Sequence, residues 1–322
     1  MSPPATPLRM RVQRKQAEAE GIAGLWLAPL EGTLPPYTAG AHIDVHLPNG
    51  LVRQYSLCNG PADEGHYRIA VLRDAASRGG SQAVHELVHE GDELHISAPR
   101  NHFPLAESAP YHLLLAGGIG ITPLLAMAET LTLQGAHFDL HYASRTRSRT
   151  AFLNRIATSP YAHRVHLHLD DGPADQRLDI TALLQTAPAG AHLYVCGPQG
   201  YMDAVLGSAR GLGWAEDRLH LEFFGAAPVS TANDGSFEVE LAQSGRVIPV
   251  TAQQTTLQAL LDAGVDIPMS CEQGVCGTCL TRVVSGTPDH RDHYLTPDEQ
   301  AANDQFLPCC SRSHSARLVL DL

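Results

Sequence analysis

Five of the seven cysteines stand near the end of the chain, and their spacing constrains the fold more than any other feature. Cys271, Cys276 and Cys279 read C-x4-C-x2-C, and the pair Cys309-Cys310 follows about thirty residues later. Three thiols on one tight loop can wrap a small inorganic cluster. Gly274 and Gly277 let backbone N–H groups approach sulfur there, because glycine lacks a Cβ and tolerates positive φ. With a distant fourth cysteine, the spacing reads as a [2Fe–2S] loop. Zinc competes, since four cysteines hold it tetrahedrally, but zinc sites usually pair two C-x2-C knuckles and here one loop supplies three sulfurs. A disulfide framework belongs to small secreted domains and fits a chain of 322 residues poorly.

The segment 236–322 resembles the plant-type ferredoxin domains of bacterial oxygenase reductases, which end in Cys-x-Ser-Arg and a hydrophobic strand. Here that ending is Cys309-Cys310-Ser311-Arg312, followed by Ala316-Arg317-Leu318-Val319-Leu320-Asp321-Leu322. The resemblance implies Cys309 as the fourth cluster ligand, beside Cys271, Cys276 and Cys279, and leaves Cys310 to the core. The local pattern fits an α+β β-grasp order: a strand at 237–242, a Ser244-Gly245 turn, a strand at 247–251, a helix at 256–263 capped by Thr255, the cysteine loop and a closing strand. Acidic residues outnumber basic ones there by more than two to one, which reads as a solvated face or as a docking surface for a basic protein.

Composition narrows the partners. With 22 Lys and Arg against 34 Asp and Glu, a formal charge of −12, the balance argues against nucleic acid as a partner, because phosphate binding draws on cations. A 43% hydrophobic content and this length imply two or three cored domains. No run approaches the roughly twenty apolar residues of a membrane-spanning helix. The opening Met1-Ser2-Pro3-Pro4-Ala5-Thr6-Pro7 lacks a charged segment followed by an apolar one, so a cytoplasmic protein is expected, with no membrane partner. The 18 histidines are scattered without a metal-binding motif and read as surface or strand residues.

Before the ferredoxin-like segment, residues 1–104 show short β-rich runs at 8–13, 24–29, 42–47, 51–57, 67–73 and 93–97, separated by turn residues, which predicts an antiparallel β-barrel. Arg53 and Tyr55, two apart on one predicted strand, share a face, so Tyr55 can pack on a ring system while Arg53 reaches a phosphate. Gly79-Gly80-Ser81 opens a predicted helix at 82–89, whose unpaired N–H groups favour an anion. The order Arg53-Gln54-Tyr55-Ser56-Leu57-Cys58-Asn59, then Ala70-Val71-Leu72-Arg73, then Gly79-Gly80-Ser81 resembles the flavin barrel of the ferredoxin reductase superfamily in its phthalate dioxygenase reductase version. The resemblance implies FMN, with its phosphate near Arg53 and the Gly-Gly-Ser turn. No extended segment suits the adenosine half of FAD.

Residues 105–228 alternate strands at 111–116, 138–144, 165–170, 192–196 and 219–224 with helices at 122–134, 150–157, 179–186 and 199–212. That alternation predicts a doubly wound α/β domain, which binds ligands at the carboxyl ends of its strands. There stand Gly117-Gly118-Ile119-Gly120-Ile121-Thr122-Pro123 and, later, Cys196-Gly197-Pro198. The first is an incomplete dinucleotide fingerprint, because Pro123 takes the third glycine's place. Both together resemble the NAD(P) domain of the same superfamily. That resemblance implies Thr122 and Cys196 at the nicotinamide, Phe224 stacked near the flavin, and Ser144 and Arg145 at the adenosine ribose. Arg145, Arg147 and Arg149 could grip a 2′-phosphate or be solvated; NADH is expected over NADPH. Residues 229–235 read as a linker to the third domain, 236–322.

A hydride carries two electrons and an iron–sulfur centre accepts one, so a flavin between them converts pairs to singles. Nearly the whole chain resembles the phthalate dioxygenase reductase and vanillate demethylase reductase family, which implies electron transfer from NADH through FMN and [2Fe–2S] to a separate terminal oxygenase. An electron-transfer subunit of a dehydrogenase is the alternative, although the long gap before Cys309 differs from its pattern. A nucleotide-binding iron–sulfur sensor without turnover is the non-enzymatic reading.

Overall fold

The computed structural model describes residues 7–322 apart from 64, 76, 225–233 and 270. Most of the expected linker therefore lies outside the described residues. Two compact units divide the chain, Met1–Phe224 and Gly225–Leu322.

The first unit begins with an antiparallel sheet of β1 (Leu8–Ala19), β2 (Ile22–Pro29), β3 (Ala41–His46), β4 (Val52–Ser56), β5 (Tyr67–Leu72), β6 (Glu93–Ile96) and β7 (Arg100–Asn101), with helix α1 (Gly80–Leu87) after β5. The order is β4-β3-β6-β1-β2-β5, with β7 on β3, and the sheet curls until its end strands β4 and β5 approach each other. Alternate residues Met10, Val12, Leu25, Leu27, Ile43, Val45, Ile69 and Val71 fill the interior. Strand β1 runs six residues past the expected end at Gln13. Register shifts at Val12/Arg14 and Ala17/Ala19 break the alternation that marks a strand in sequence, while pairing to β2 continues.

A parallel sheet follows: β8 (His112–Gly117), α2 (Ile121–Leu133), β9 (Phe138–Ser144), α3 (Leu153–Ala157), β10 (Val165–Leu169), α4 (Ile180–Thr186), β11 (His192–Cys196), α5 (Gln199–Gly211) and β12 (Leu219–Glu222). Strand β8 is buried along its whole length, as a central parallel strand covered on both faces must be. Helix α2 packs with Tyr142 and Tyr194 on one face, and α4 and α5 pack with Leu113, Leu193 and Val195 on the other. The order β10-β9-β8-β11-β12 reverses direction between β8 and β11, and the crevice at such a switch point receives ligands in doubly wound folds. Helix α3 starts three residues after the expected Thr150. Thr150 Oγ1 donates to Thr146 O at 2.9 Å, holding a 3-10 turn at Arg147–Arg149, and Phe152 takes a left-handed φ of 64° at the cap.

The second unit contains β13 (Phe237–Leu241), β14 (Val247–Val250), α6 (Thr256–Asp262), β15 (Thr281–Ser285), β16 (Pro288–Asp289), α7 (Pro297–Ala302), β17 (Gln305–Phe306), β18 (Arg312–Ser313) and β19 (Arg317–Leu320). Its main sheet, β14-β13-β19-β15-β17, is mixed, with β13 and β19 parallel. The Thr255 hydroxyl accepts from Gln258 N at 3.0 Å and caps α6. Asp234 holds two cations, Arg291 at 2.7 Å and Arg312 at 3.3 Å, so the chain entering β13 is fastened to segments on both sides of the Cys309-Cys310 pair.

Candidate functional site

The cysteine loop needs two left-handed glycines, and each fills a space where a side chain cannot fit. A Cβ on Gly277, at φ +68°, would lie 2.2 Å from the Tyr294 ring, and one on Gly274, at φ +72°, would lie 2.4 Å from Cys310 Sγ. Cys271, Cys276, Cys279 and Cys309 are all buried, and Cys310 is partly buried beside the core. The Gln273 N–H points at Cys271 Sγ (3.3 Å) and the Thr278 N–H at Cys276 Sγ (3.4 Å). Hydrogen bonds from Cys276 and Cys309 hold the Cys271 thiol far below the usual thiol range, and the N–H groups of Gln273 and Val275 add to the effect. Cys279 is lowered in the same way by Cys309. Among the described residues no His, Cys, Asp or Glu side chains close around one point as a single metal ion needs. Cys271 meets both Cys276 and Cys309, and Cys279 meets Cys309, so the four thiols form one linked set, and four thiols are the donor set of a plant-type two-iron cluster.

On the barrel, β4 carries Arg53, Gln54, Tyr55 and Ser56. Tyr55 lies against the core, and burial pushes its hydroxyl up. Gln54 Nε2 is buried without a partner among the described residues. Gly79, at φ 89°, starts α1 with no side chain capping its N–H groups, and a Cβ on Gly80 would lie 2.7 Å from Arg53 Cγ. The guanidinium stem thus crosses the uncapped helix end, so two features that favour an anion share one place. Ser81 Oγ accepts from Asp74 N at 3.1 Å. Ala70 and Val71 are buried on β5, and Arg73 is drawn into an ion pair with Glu86. The uncapped turn, the arginine and the unpaired amide fit a flavin phosphate and ring edge.

At the switch point the two glycine turns touch. A Cβ on Gly120 would lie 2.2 Å from Cys196 O, and one on Gly197 would lie 2.9 Å from Gly117 Cα. Gly118 has φ 54°, and Pro198 starts α5. Pro123 sits in the first turn of α2, where an N–H is not needed. The Thr122 hydroxyl donates to Ile119 O at 3.1 Å. Cys196 is fully buried, and burial raises its thiol well above the usual range. Ser144 Oγ donates to Thr146 O at 3.2 Å, while Arg145, Arg147 and Arg149 are exposed. Phe224 is exposed at the end of the first unit.

Glu222 was not singled out from sequence, and it is the residue that joins these parts. It stands level with Cys196 on the neighbouring strand, and the Ser56 hydroxyl donates to its Oε2 at 2.9 Å. Its Oε1 lies 4.0 Å from His42 Nδ1, a ring stacked on His102. Burial pushes this carboxyl up to about 8. The available signal was an acidic residue ending the last parallel strand, where such folds place function.

Residues 239–314 match the 2Fe-2S iron-sulfur cluster binding domain family, and residues 97–219 match the N-terminal domain family of dimethylamine monooxygenase subunit DmmA-like proteins. Vanillate O-demethylase oxidoreductase from Pseudomonas sp. (strain HR199 / DSM 7063) is 56% identical over 291 residues, 90% of this chain and 92% of that one. The solved phthalate dioxygenase reductase, described as a modular structure for electron transfer from pyridine nucleotides to [2Fe-2S], is 39% identical, covers 98% of each chain and has a TM-score of 0.76. The chain belongs to the phthalate dioxygenase reductase and vanillate O-demethylase oxidoreductase family. An intact type IV self-sufficient cytochrome P450 monooxygenase aligns at 37% identity and a TM-score of 0.84, over 98% of this chain and 41% of that one.

As a member of the phthalate dioxygenase reductase family, the chain is an iron–sulfur flavoprotein oxidoreductase. The family's three parts correspond to the antiparallel sheet, the parallel sheet and the cysteine-bearing unit.

Proposed function

We propose that this protein is the reductase component of a two-component oxygenase or demethylase system, using NADH, FMN and a [2Fe–2S] cluster to serve a separate terminal oxygenase. When bound, the flavin supplies the conversion of a hydride's electron pair into single electrons, and the cluster supplies one-electron delivery. The observation that carries this reading is the Ser56–Glu222 hydrogen bond, which ties the flavin-type strand to the carboxyl end of the nucleotide-type sheet.

Arg53 and the 79–81 turn would hold the FMN phosphate, with Tyr55, Gln54, Ala70 and Val71 along its ring. The Gly117–Gly120 turn and Cys196–Pro198 would receive the pyrophosphate and nicotinamide of NADH, with Thr122 and Phe224 beside them. The buried carboxyl of Glu222 keeps its proton at neutral pH, so it adds no anion where a hydride donor is to sit. Ser56 donates to Oε2, which leaves Oε1 to carry that proton. Cys271, Cys276, Cys279 and Cys309 would hold the irons, and the N–H groups of Gln273 and Thr278 would stabilise charge on sulfur. Among the described residues no helix is long and apolar enough to cross a membrane. We place the protein in the cytoplasm, where cysteine ligands stay reduced.

Anaerobic addition of NADH to the purified full-length protein tests the reading. Bleaching of both flavin and cluster absorption, with an EPR signal from a reduced [2Fe–2S] centre, supports it. A protein that carries both chromophores and is left oxidised by NADH would refute it.

A further inference from the structure

We propose that Lys15 is a positioning residue for the flavin phosphate, acting through helix α1 from the end opposite the phosphate turn; this rests on the reading of the 79–81 turn as an FMN phosphate site. Lys15 is the chain's single lysine among 22 basic residues. Its ammonium donates to three carbonyls at once: Val84 O at 3.0 Å, His85 O at 2.7 Å and Val88 O at 2.7 Å. These belong to the last turn of α1 and its cap, where carbonyls lack helical partners.

The chemistry explains the choice of residue. Three carbonyls converge on one point, and an ammonium is a compact cation with three rotatable donors; a guanidinium is a planar fork that suits two parallel acceptors. The other 21 cations are arginines, and the one lysine stands where three carbonyls converge, an arrangement that arginine meets less well.

The clamp matters because α1 is short. An eight-residue helix is unstable alone in water, so its position comes from its anchors. Lys15 ties one end to β1, where its own N–H donates to Glu90 Oε1 at 2.8 Å and its backbone pairs with Leu25. His85 Nε2 contacts Val71 O at 2.9 Å, which fixes the same turn to the expected ring-binding strand. At the other end stand Gly79, Gly80 and the Arg53 stem, with no side-chain cap. At about 1.5 Å per residue, roughly 12 Å separates clamp from turn, and a helix transmits a shift over that length as a rigid rod.

The test measures FMN and riboflavin affinity in parallel on flavin-depleted full-length protein, by quenching of flavin fluorescence, for the parent, Lys15→Met and Lys15→Arg. Riboflavin lacks the phosphate, so a loss confined to the phosphate site spares it. We expect Lys15→Met to weaken FMN by about tenfold while riboflavin changes by less than about twofold, and Lys15→Arg to fall between. Equal losses for both flavins in Lys15→Met and Lys15→Arg would show a general folding effect and overturn the proposal, as would unchanged FMN affinity. A parent protein with no preference for FMN over riboflavin would overturn the phosphate-site reading itself, and the proposal with it.

Discussion

Ser56 and Glu222, 166 residues apart in the chain, meet at 2.9 Å where the antiparallel sheet joins the carboxyl end of the parallel one. The contact joins the strand expected to bind flavin to the strand end expected to bind nucleotide, and the titration of its buried carboxyl can be read in stability.

Burial raises the Glu222 carboxyl to about 8 against an unfolded value near 4.3. Between those values the folded chain keeps a proton that the unfolded chain has lost, so stability declines as pH rises through the window. The histidines His42, His112, His141 and His220, lowered to about 4 by burial, act oppositely and only below roughly 6.5. From about pH 6.5 to 8, Glu222→Gln should therefore remove a downward slope of at most about 1.4 kcal/mol per pH unit. Thermal melts of parent and variant across that range check it, and identical slopes would refute the assignment.

Cys309 and Cys310 separate by cluster content. Cys309→Ala should abolish the visible cluster absorption, and Cys310→Ala should retain it. Iron and sulfide analysis on both proteins decides, and the reverse result would exchange the two roles.

Gly120→Ala would press a Cβ to within 2.2 Å of Cys196 O and 2.6 Å of Gly197 N, both backbone atoms that cannot swing aside. We expect a loss of about 1–3 kcal/mol in stability, with a KM for NADH raised about tenfold and flavin content kept. An unchanged KM would place nucleotide binding elsewhere.

The exposed Arg145, Arg147 and Arg149 should contribute little to an NADH enzyme. Replacing all three by alanine should leave kcat/KM for NADH within about threefold, because solvated cations add little to binding. Better turnover with NADPH than with NADH in the parent protein, lost in the triple variant, would make those arginines phosphate ligands.

Local signals were legible and long-range ones were not. The buried run of β8, the glycine turn after it and the three-cysteine loop 271–279 each lie within about ten consecutive residues, so sequence alone exposes them. Glu222 offered only its place at the end of a parallel strand, because its partner Ser56 comes from another sheet. Lys15 sits in a polar stretch that reads as a loop, since the register shifts of β1 hide its strand period and its carbonyl partners are about seventy residues away. The late start of α3 followed from hydroxyl-to-backbone bonds at Thr150 that helix propensity does not weigh.

The central claim is a division of labour: hydride chemistry in the first unit, delivery to the oxygenase through the second. A truncation after Phe224 falls at the boundary between the two units and cuts no described strand or helix. With flavin content verified, it should still pass electrons from NADH to ferricyanide, which is small enough to reach the flavin, and should fail to support the partner oxygenase. Undiminished oxygenase turnover by the truncated protein would show direct donation from flavin and contradict the account.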